Sequence, residues 1–457
     1  TSVTATDNAG NTDTDTGTVV IDTTAPTVAI NDLTTNDTTP ELTGTVNDPN
    51  AVVVVTIDGN DYTATNNGDG TWTLADNVVA TLAEGSYPTS VSATDAAGNT
   101  VTNTGTVIID TTAPTVAIND LTTNDTTPEL TGTVNDPNAV VVVTIDGNDY
   151  TATNNGDGTW TLADNVVATL AEGSYPTSVS ATDPAGNTVT NTGTVVIDTT
   201  APTVAINNLT TNDTTPELTG TVNDPNAVVV VTIDGNDYTA TNNGDGTWTL
   251  ADNVVTTLAE GSYPTSVSAT DAAGNTVTNT GTVVIDTTAP TVAINDLTTN
   301  DTTPELTGTV NDPNAVVVVT IDGNDYTATN NGDGTWTLAD DLVATLAEGS
   351  YPTLVSATDA AGNTVTNTGT VVIDTTAPTV AINDLTTNDT TPELTGTVND
   401  PDAVVVVTIN GNDYTATNNG DGTWTLADNI VALLAEGNYT AIVTATDAVG
   451  NVATDTG

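Results

Sequence analysis

Three aspartates, Asp22, Asp48 and Asp95, have the most chemical potential in this chain. The same positions are aspartate in each later copy of a long repeat: Asp110, Asp136 and Asp183, then Asp198, Asp224 and Asp271, then Asp286, Asp312 and Asp359, and lastly Asp374, Asp400 and Asp447. A carboxylate can serve as acid, base, nucleophile or metal ligand, and its surroundings decide which. Here the 59 acidic residues meet no Lys, Arg or His, so the formal charge is −59. No imidazole base, lysine nucleophile or arginine clamp exists, and no Ser or Thr has a partner to activate it. Cys is also absent, which removes thiols and disulfides. Paired carboxylates about 5–10 Å apart could hydrolyse a glycoside. Near-identical small modules, however, are poor hosts for the deep aromatic cleft such work needs, so the residues do not read as an enzyme. What remains for oxygen donors is a hard cation. Calcium takes six to eight oxygens from Asp, Asn, carbonyls and water, whereas zinc wants His or Cys.

The same charge balance excludes whole classes of partner. Phosphate recognition depends on Lys and Arg, so nucleic acid and anionic lipid surfaces do not fit. No stretch approaches the roughly 20 apolar residues of a membrane span.

The elements that must position these acids follow from the repeat. The phrase DTTAPT returns every 88 residues, at Asp22, Asp110, Asp198, Asp286 and Asp374. A fixed period of this length marks a tandem array of whole modules. The expected boundaries are 22–109, 110–197, 198–285, 286–373 and a slightly shortened 374–457, preceded by 1–21 as the C-terminal fragment of another copy. Within 22–109, strand-like segments at 27–30, 41–47, 51–57, 62–65, 72–74, 87–94 and 101–109 alternate with turns. Asp58-Gly59 and the run Asn66-Asn67-Gly68-Asp69-Gly70 are hairpin signals. Asn31–Pro40 reads as a polar connection, and 76–85 as a helical turn or irregular crossover. About seven short strands rich in Thr and Val give an all-β, immunoglobulin-like sandwich. Trp72 and Tyr62 read as packing residues, and Tyr87 as the cap of a corner before the penultimate strand.

These residues resemble a known family. The string Ser92-Ala93-Thr94-Asp95-Ala96-Ala97-Gly98-Asn99, followed by a strand and Asp110-Thr111-Thr112-Ala113-Pro114, is similar to the bacterial immunoglobulin-like repeats of giant surface adhesins, including biofilm-associated and RTX-type adhesins. The resemblance runs through every copy. It implies an elongated rod of tandem sandwiches, stiffened by calcium at or near the domain junctions and exported by type I secretion.

Strand direction sorts the acids to two ends of each module. Asp22, Asp48, Asp69 and Asp95 fall at the N-terminal pole; Asp32, Asp37, Asp58, Asp61, Asp76 and Glu84 fall at the other. Ile109 runs directly into Asp110, so the far pole of one module abuts the near pole of the next. Asp110, Asp136 and Asp183 then face the Asp32 or Asp37 loop of the preceding copy. Two carboxylates about 4 Å apart repel by roughly 4 kcal/mol at an effective dielectric near 20. Screening over a Debye length of about 8 Å does not reach so close a contact. A calcium ion at each junction resolves the conflict, with the five Asp trios as candidate ligands and Asp32, Asp37 or Glu84 left open as the completing group. Asp58 and Asp69 read instead as turn formers, because both precede Gly and Asn410 replaces Asp58 in the last copy. Asn208 likewise replaces Asp32 in the third copy. No EF-hand loop is present.

The expected function is therefore structural: the stalk of a secreted or cell-surface bacterial adhesin that projects a distal binding domain. Its partners are calcium ions and neighbouring repeats. At about 3.3 Å per strand residue, five modules would reach about 200 Å. The alternative is that the repeats bind a polysaccharide or an ice surface directly, through Thr-rich faces or exposed Trp72 or Tyr62.

Overall fold

The structure, a computed structural model, describes residues 1–457. It is all strand, turn and loop, with no helix long and apolar enough to cross a membrane. A leading hairpin joins β1 (Ser2–Thr6) to β2 (Thr12–Thr16). The first complete repeat follows as β3 (Val28–Ile30), β4 (Leu33–Thr35), β5 (Leu42–Val46), β6 (Val52–Ile57), β7 (Asn60–Asn66), β8 (Thr71–Leu74), β9 (Gly85–Thr94) and β10 (Thr100–Ile109). The strand order is β3-β5-β8-β7-β6-β9-β10-β4, and the next three repeats reproduce it. Strand β7 pairs with β6 along its length and with β8 at Thr65 and Asn66, so it carries the chain from one layer to the other.

The two layers close on one core. Leu42, Val46, Trp72 and Leu74 from one layer meet Val53, Val55, Ile57, Val91, Val107 and Ile109 from the other. Inward residues alternate with outward ones, as the strand period of two requires. Trp72 is 0% exposed and donates its indole N–H to the Ala29 carbonyl at 3.0 Å. Gly44 makes that possible: a Cβ there would stand 2.0 Å from the Ala29 oxygen and 2.7 Å from the indole nitrogen. A buried aromatic whose only polar atom is satisfied is a strong core element. The Tyr87 hydroxyl donates to the Ala83 carbonyl at 2.9 Å, the corner cap expected from its place in the sequence.

The expected polar connection at 31–40 contains an eighth strand. Leu33–Thr35 runs parallel to the end of β10, pairing Leu33 with Val107 and Thr35 with Ile109. A three-residue edge strand flanked by Asn and Asp gives almost no periodic signal. The segment 76–84 is an irregular crossover, without helix, and Gly85 opens β9.

The chain divides into two compact units, Thr1–Pro202 with Thr270–Val277, and Thr203–Ala269 with Thr278–Gly457. The first contains the leading hairpin and the first two repeats; the second contains the fourth and fifth. In the last repeat the parallel edge strand is missing and seven strands remain.

Candidate functional site

The acids gather where one repeat ends and the next begins, and the junction between the first and second repeats shows how. Strand β10 ends at Ile109, and the backbone N–H of Asp110 donates to the Thr35 carbonyl at 3.0 Å, fixing the linker to the edge strand. Asp110 then accepts the Thr112 N–H on its own carboxylate at 3.0 Å, a turn that aspartate forms readily. Its carbonyl accepts the Asn187 side-chain amide at 2.8 Å. Asn187 also donates that amide to Asp183 at 2.8 Å, and its backbone N–H to the other Asp183 oxygen at 2.9 Å. Asn187 thus ties the linker aspartate to the turn aspartate. Asn99, Asn275, Asn363 and Asn451 make the same link in the other repeats.

Contacts from the preceding repeat complete the junction. The Asn36 N–H donates to the Ala185 carbonyl at 2.9 Å. Asn124 and Asn212 do the same to Ala273 and Ala361. Glu84 reaches over the linker and accepts the hydroxyls of Thr111 and Thr112 at 2.9 and 2.8 Å. Glu84, Asp110, Asp136 and Asp183 line one open cleft of about 540 Å³ with Pro114 and Asn135. No three acidic groups anywhere in the chain converge closely enough to share one metal ion.

Local hydrogen bonds set the charge state of these groups. The Thr112 and Thr111 hydroxyls hold the Glu84 carboxyl below its usual range. For Asp183, burial in the junction opposes ionisation, but bonds from Asn187 and from the turn amides outweigh it and the net direction is down. Asp95, in the equivalent turn of the first repeat, is lowered chiefly by the Asn99 side chain. The donors at this end are therefore carboxylates, carbonyls and amides arranged for anionic oxygen, which is the chemistry a hard cation accepts.

Other acids have local duties. Asp58 and Asn410 both sit at positive φ, 49° and 51°, so the last copy keeps the turn without the charge. Asp69 caps its hairpin by accepting both the hydroxyl and the N–H of Thr71. Asp32 departs from the expected placement: it accepts the Thr106 N–H at 2.7 Å part-way along β10, away from the linker. Asn208 does the same for Thr282, which explains why that site tolerates an amide. The Asp37 equivalent in the fourth repeat, Asp301, lies close to Asp340. Desolvation and then the Asp301 charge push the Asp340 carboxyl up. Glu84 is the junction residue that spacing alone left open, although Glu172, Glu260, Glu348 and Glu436 repeat it. The first three of these equivalents bind the linker threonines as Glu84 does. Trp72 and its four equivalents are fully buried, so no indole is available to stack on a sugar.

Comparison with known proteins agrees with this architecture. The bacterial Ig-like domain family matches at residues 27–111, 115–199, 203–287, 291–375 and 379–457. No curated protein matches the chain. Among solved structures, a tetra-tandem repeat from the extending region of a large adhesion protein is 30% identical; the alignment covers 77% of this chain and 100% of that one, with a TM-score of 0.27. A Ca2+-stabilized adhesin that helps an Antarctic bacterium reach out and bind ice is 25% identical over 77% of this chain and 99% of its own, with a TM-score of 0.26. The chain belongs to the bacterial Ig-like domain family.

Proposed function

We propose that this chain is a stalk segment of a secreted or cell-surface adhesin, in which calcium closes each junction between repeats and so stiffens the array. The distal binding domain it would project lies outside this sequence. The observation that carries the reading is the cleft at the first junction, where Glu84, Asp110, Asp136 and Asp183 from two successive repeats face the same space. With no Lys, Arg or His in the chain, their charge is balanced only from solution. The donor set suits calcium: carboxylates supply charge, and carbonyls and water fill a flexible shell. When bound, the ion supplies electrostatic cross-linking across the joint. The protein's own part is to preset the joint. Asn187 holds Asp183 against the linker, Thr111 and Thr112 hold Glu84, and the Asn36–Ala185 bond sets how closely the two turns meet. The equivalent trios ending in Asp359 and Asp447 would serve the junctions within the second unit. No catalytic role is proposed.

The test is calorimetric titration of the chelated chain with calcium. We expect saturable binding with a stoichiometry that tracks the number of junctions, falling by one when Asp136→Asn and Asp183→Asn are combined at the first. Binding that is unsaturable, or unaltered by that pair, contradicts the reading.

A further inference from the structure

Six Asn-Gly pairs occur in the chain, and the fold restrains five of them but not the sixth. In such a pair the backbone nitrogen of glycine can attack the asparagine side chain, because no Cβ shields its approach. The turn at 66–70 holds both reacting groups. The Asn67 side-chain amide donates to the Thr71 and Thr73 hydroxyls at 2.9 and 3.1 Å, and the Gly68 N–H donates to the Asn66 side-chain oxygen at 3.1 Å. Asn155, Asn243, Asn331 and Asn419, with the glycines that follow them, are held in the same way.

Asn410-Gly411 is the exception. It forms the turn between the strands Val404–Ile409 and Asn412–Asn418, where the four earlier copies have Asp58, Asp146, Asp234 and Asp322. Asn410 is exposed, and neither its side-chain amide nor the Gly411 N–H makes a hydrogen bond. Nothing stands within 4 Å of where a Cβ on Gly411 would lie, so the nitrogen is open to solvent. The Asn410 carbonyl, which shares a peptide group with that nitrogen, accepts the Asn412 side-chain amide at 3.3 Å. A donor on the carbonyl polarises the peptide and favours loss of the Gly411 amide proton.

We propose that Asn410-Gly411 is a self-modifying site, which water converts to aspartate and isoaspartate ahead of the other five pairs. The Gly411 nitrogen gives its proton to solvent and bonds to the side-chain carbonyl carbon of Asn410. The bond from that carbon to the amide nitrogen breaks, and ammonia leaves with the proton returned by solvent. Water then opens the five-membered imide. Opening at the side-chain carbonyl gives aspartate; opening at the main-chain carbonyl gives isoaspartate. Water is the only co-reactant, and nothing is oxidised or reduced. Either product adds one negative charge to the turn. The aspartate product restores what the four earlier copies have there, and their turns take it at φ of 49, 51, 50 and 50°, against 51° for Asn410. The isoaspartate product carries an extra main-chain carbon, which does not fit the pairing of Ile409 with Asn412 and loosens the hairpin. The site thus marks one repeat for slow chemical change by age alone, independently of calcium at the junctions.

The test is timed incubation of the full folded chain in warm, mildly alkaline buffer, followed by cleavage after Glu and tandem mass spectrometry. The fragment 394–436, between Glu393 and Glu436, contains both Asn410 and Asn419, so each sample carries its own comparison. Conversion at Asn410 should run on the order of tenfold faster than at Asn419, where three hydrogen bonds must first break. Thr423→Val combined with Thr425→Val removes the hydroxyls that hold Asn419 and should bring its rate towards that of Asn410. In concentrated urea the two rates should converge, because both sites are then the same dipeptide in an open chain. Equal rates in the folded chain, or an Asn419 that converts first, overturn the proposal. So does a rate at Asn419 that the two valines leave unchanged, or a preference for Asn410 that survives unfolding, since either would remove the fold as its cause.

Discussion

The turns at 95–99 and 183–187 are two copies of one loop with different fates. They differ only by Ala96 against Pro184, and both wrap their Asn side chain and amide around the Asp carboxylate. Yet Ala97 and Gly98 are exposed, whereas Asp183 and Ala185 are each only 7% exposed. The difference comes from the neighbour. The loop at Asn36 of the preceding repeat packs on the second turn and takes the Ala185 carbonyl. The ordering of causes changes accordingly: at Asp95 the Asn99 bond dominates, and at Asp183 burial comes first. A module's own sequence makes the turn, but contact with the module before it turns that feature into a desolvated anionic joint.

That comparison can be broken most severely by removing the neighbour. Trp72→Ala should destabilise the first repeat by about 3–5 kcal/mol, the usual loss for a large buried aromatic. Hydrogen exchange at Gly186 and Asn187 should then rise to the level of Gly98 and Asn99, with the second repeat still folded. A milder break is Asp183→Ala, which leaves the buried Asn187 donors unpaired. It should lower the stability of the second repeat by about 1–3 kcal/mol in denaturant melts, and Asp95→Ala should have a smaller effect on the first. Glu84→Gln sharpens the comparison rather than breaking it: melts should hardly change, but calcium affinity at the first junction should weaken on the order of tenfold, because ligand charge sets affinity.

The smallest expected effect is that of pH. Asp95, Asp183 and Glu84 are all depressed in the folded state. Such groups contribute stability above their unfolded values near pH 4, and that contribution is lost as pH falls through the folded values. Thermal melts should therefore be flat from neutral pH to about 5 and decline below about 4, in chelator as well as in calcium.

How much of this was legible follows from which interactions are local. Turns and strands were, because Asp-Gly pairs, the Val-rich run at 52–57 and alternation at 87–94 are short-range signals; Asp58 at positive φ is the direct outcome. The edge strand at 33–35 was not, since it exists only through pairing with Val107–Ile109, more than 70 residues away. At the junction, the repeated Asp positions marked the right end of the module. Spacing alone puts Asp32 at a pole, whereas its bond to Thr106, 74 residues away, exists only in the folded sheet. Glu84 was hard to choose among the acids because its partners, Thr111 and Thr112, belong to the linker beyond its own strand pair.

We infer that cation supplied from solution holds the joints. Small-angle scattering of the chain in calcium and then in chelator tests it most directly, with far-ultraviolet circular dichroism recorded on the same samples. Strand content should stay unchanged when calcium is withdrawn, while interdomain rigidity is lost and the maximum dimension alters. Superimposable scattering curves in the two conditions would contradict it.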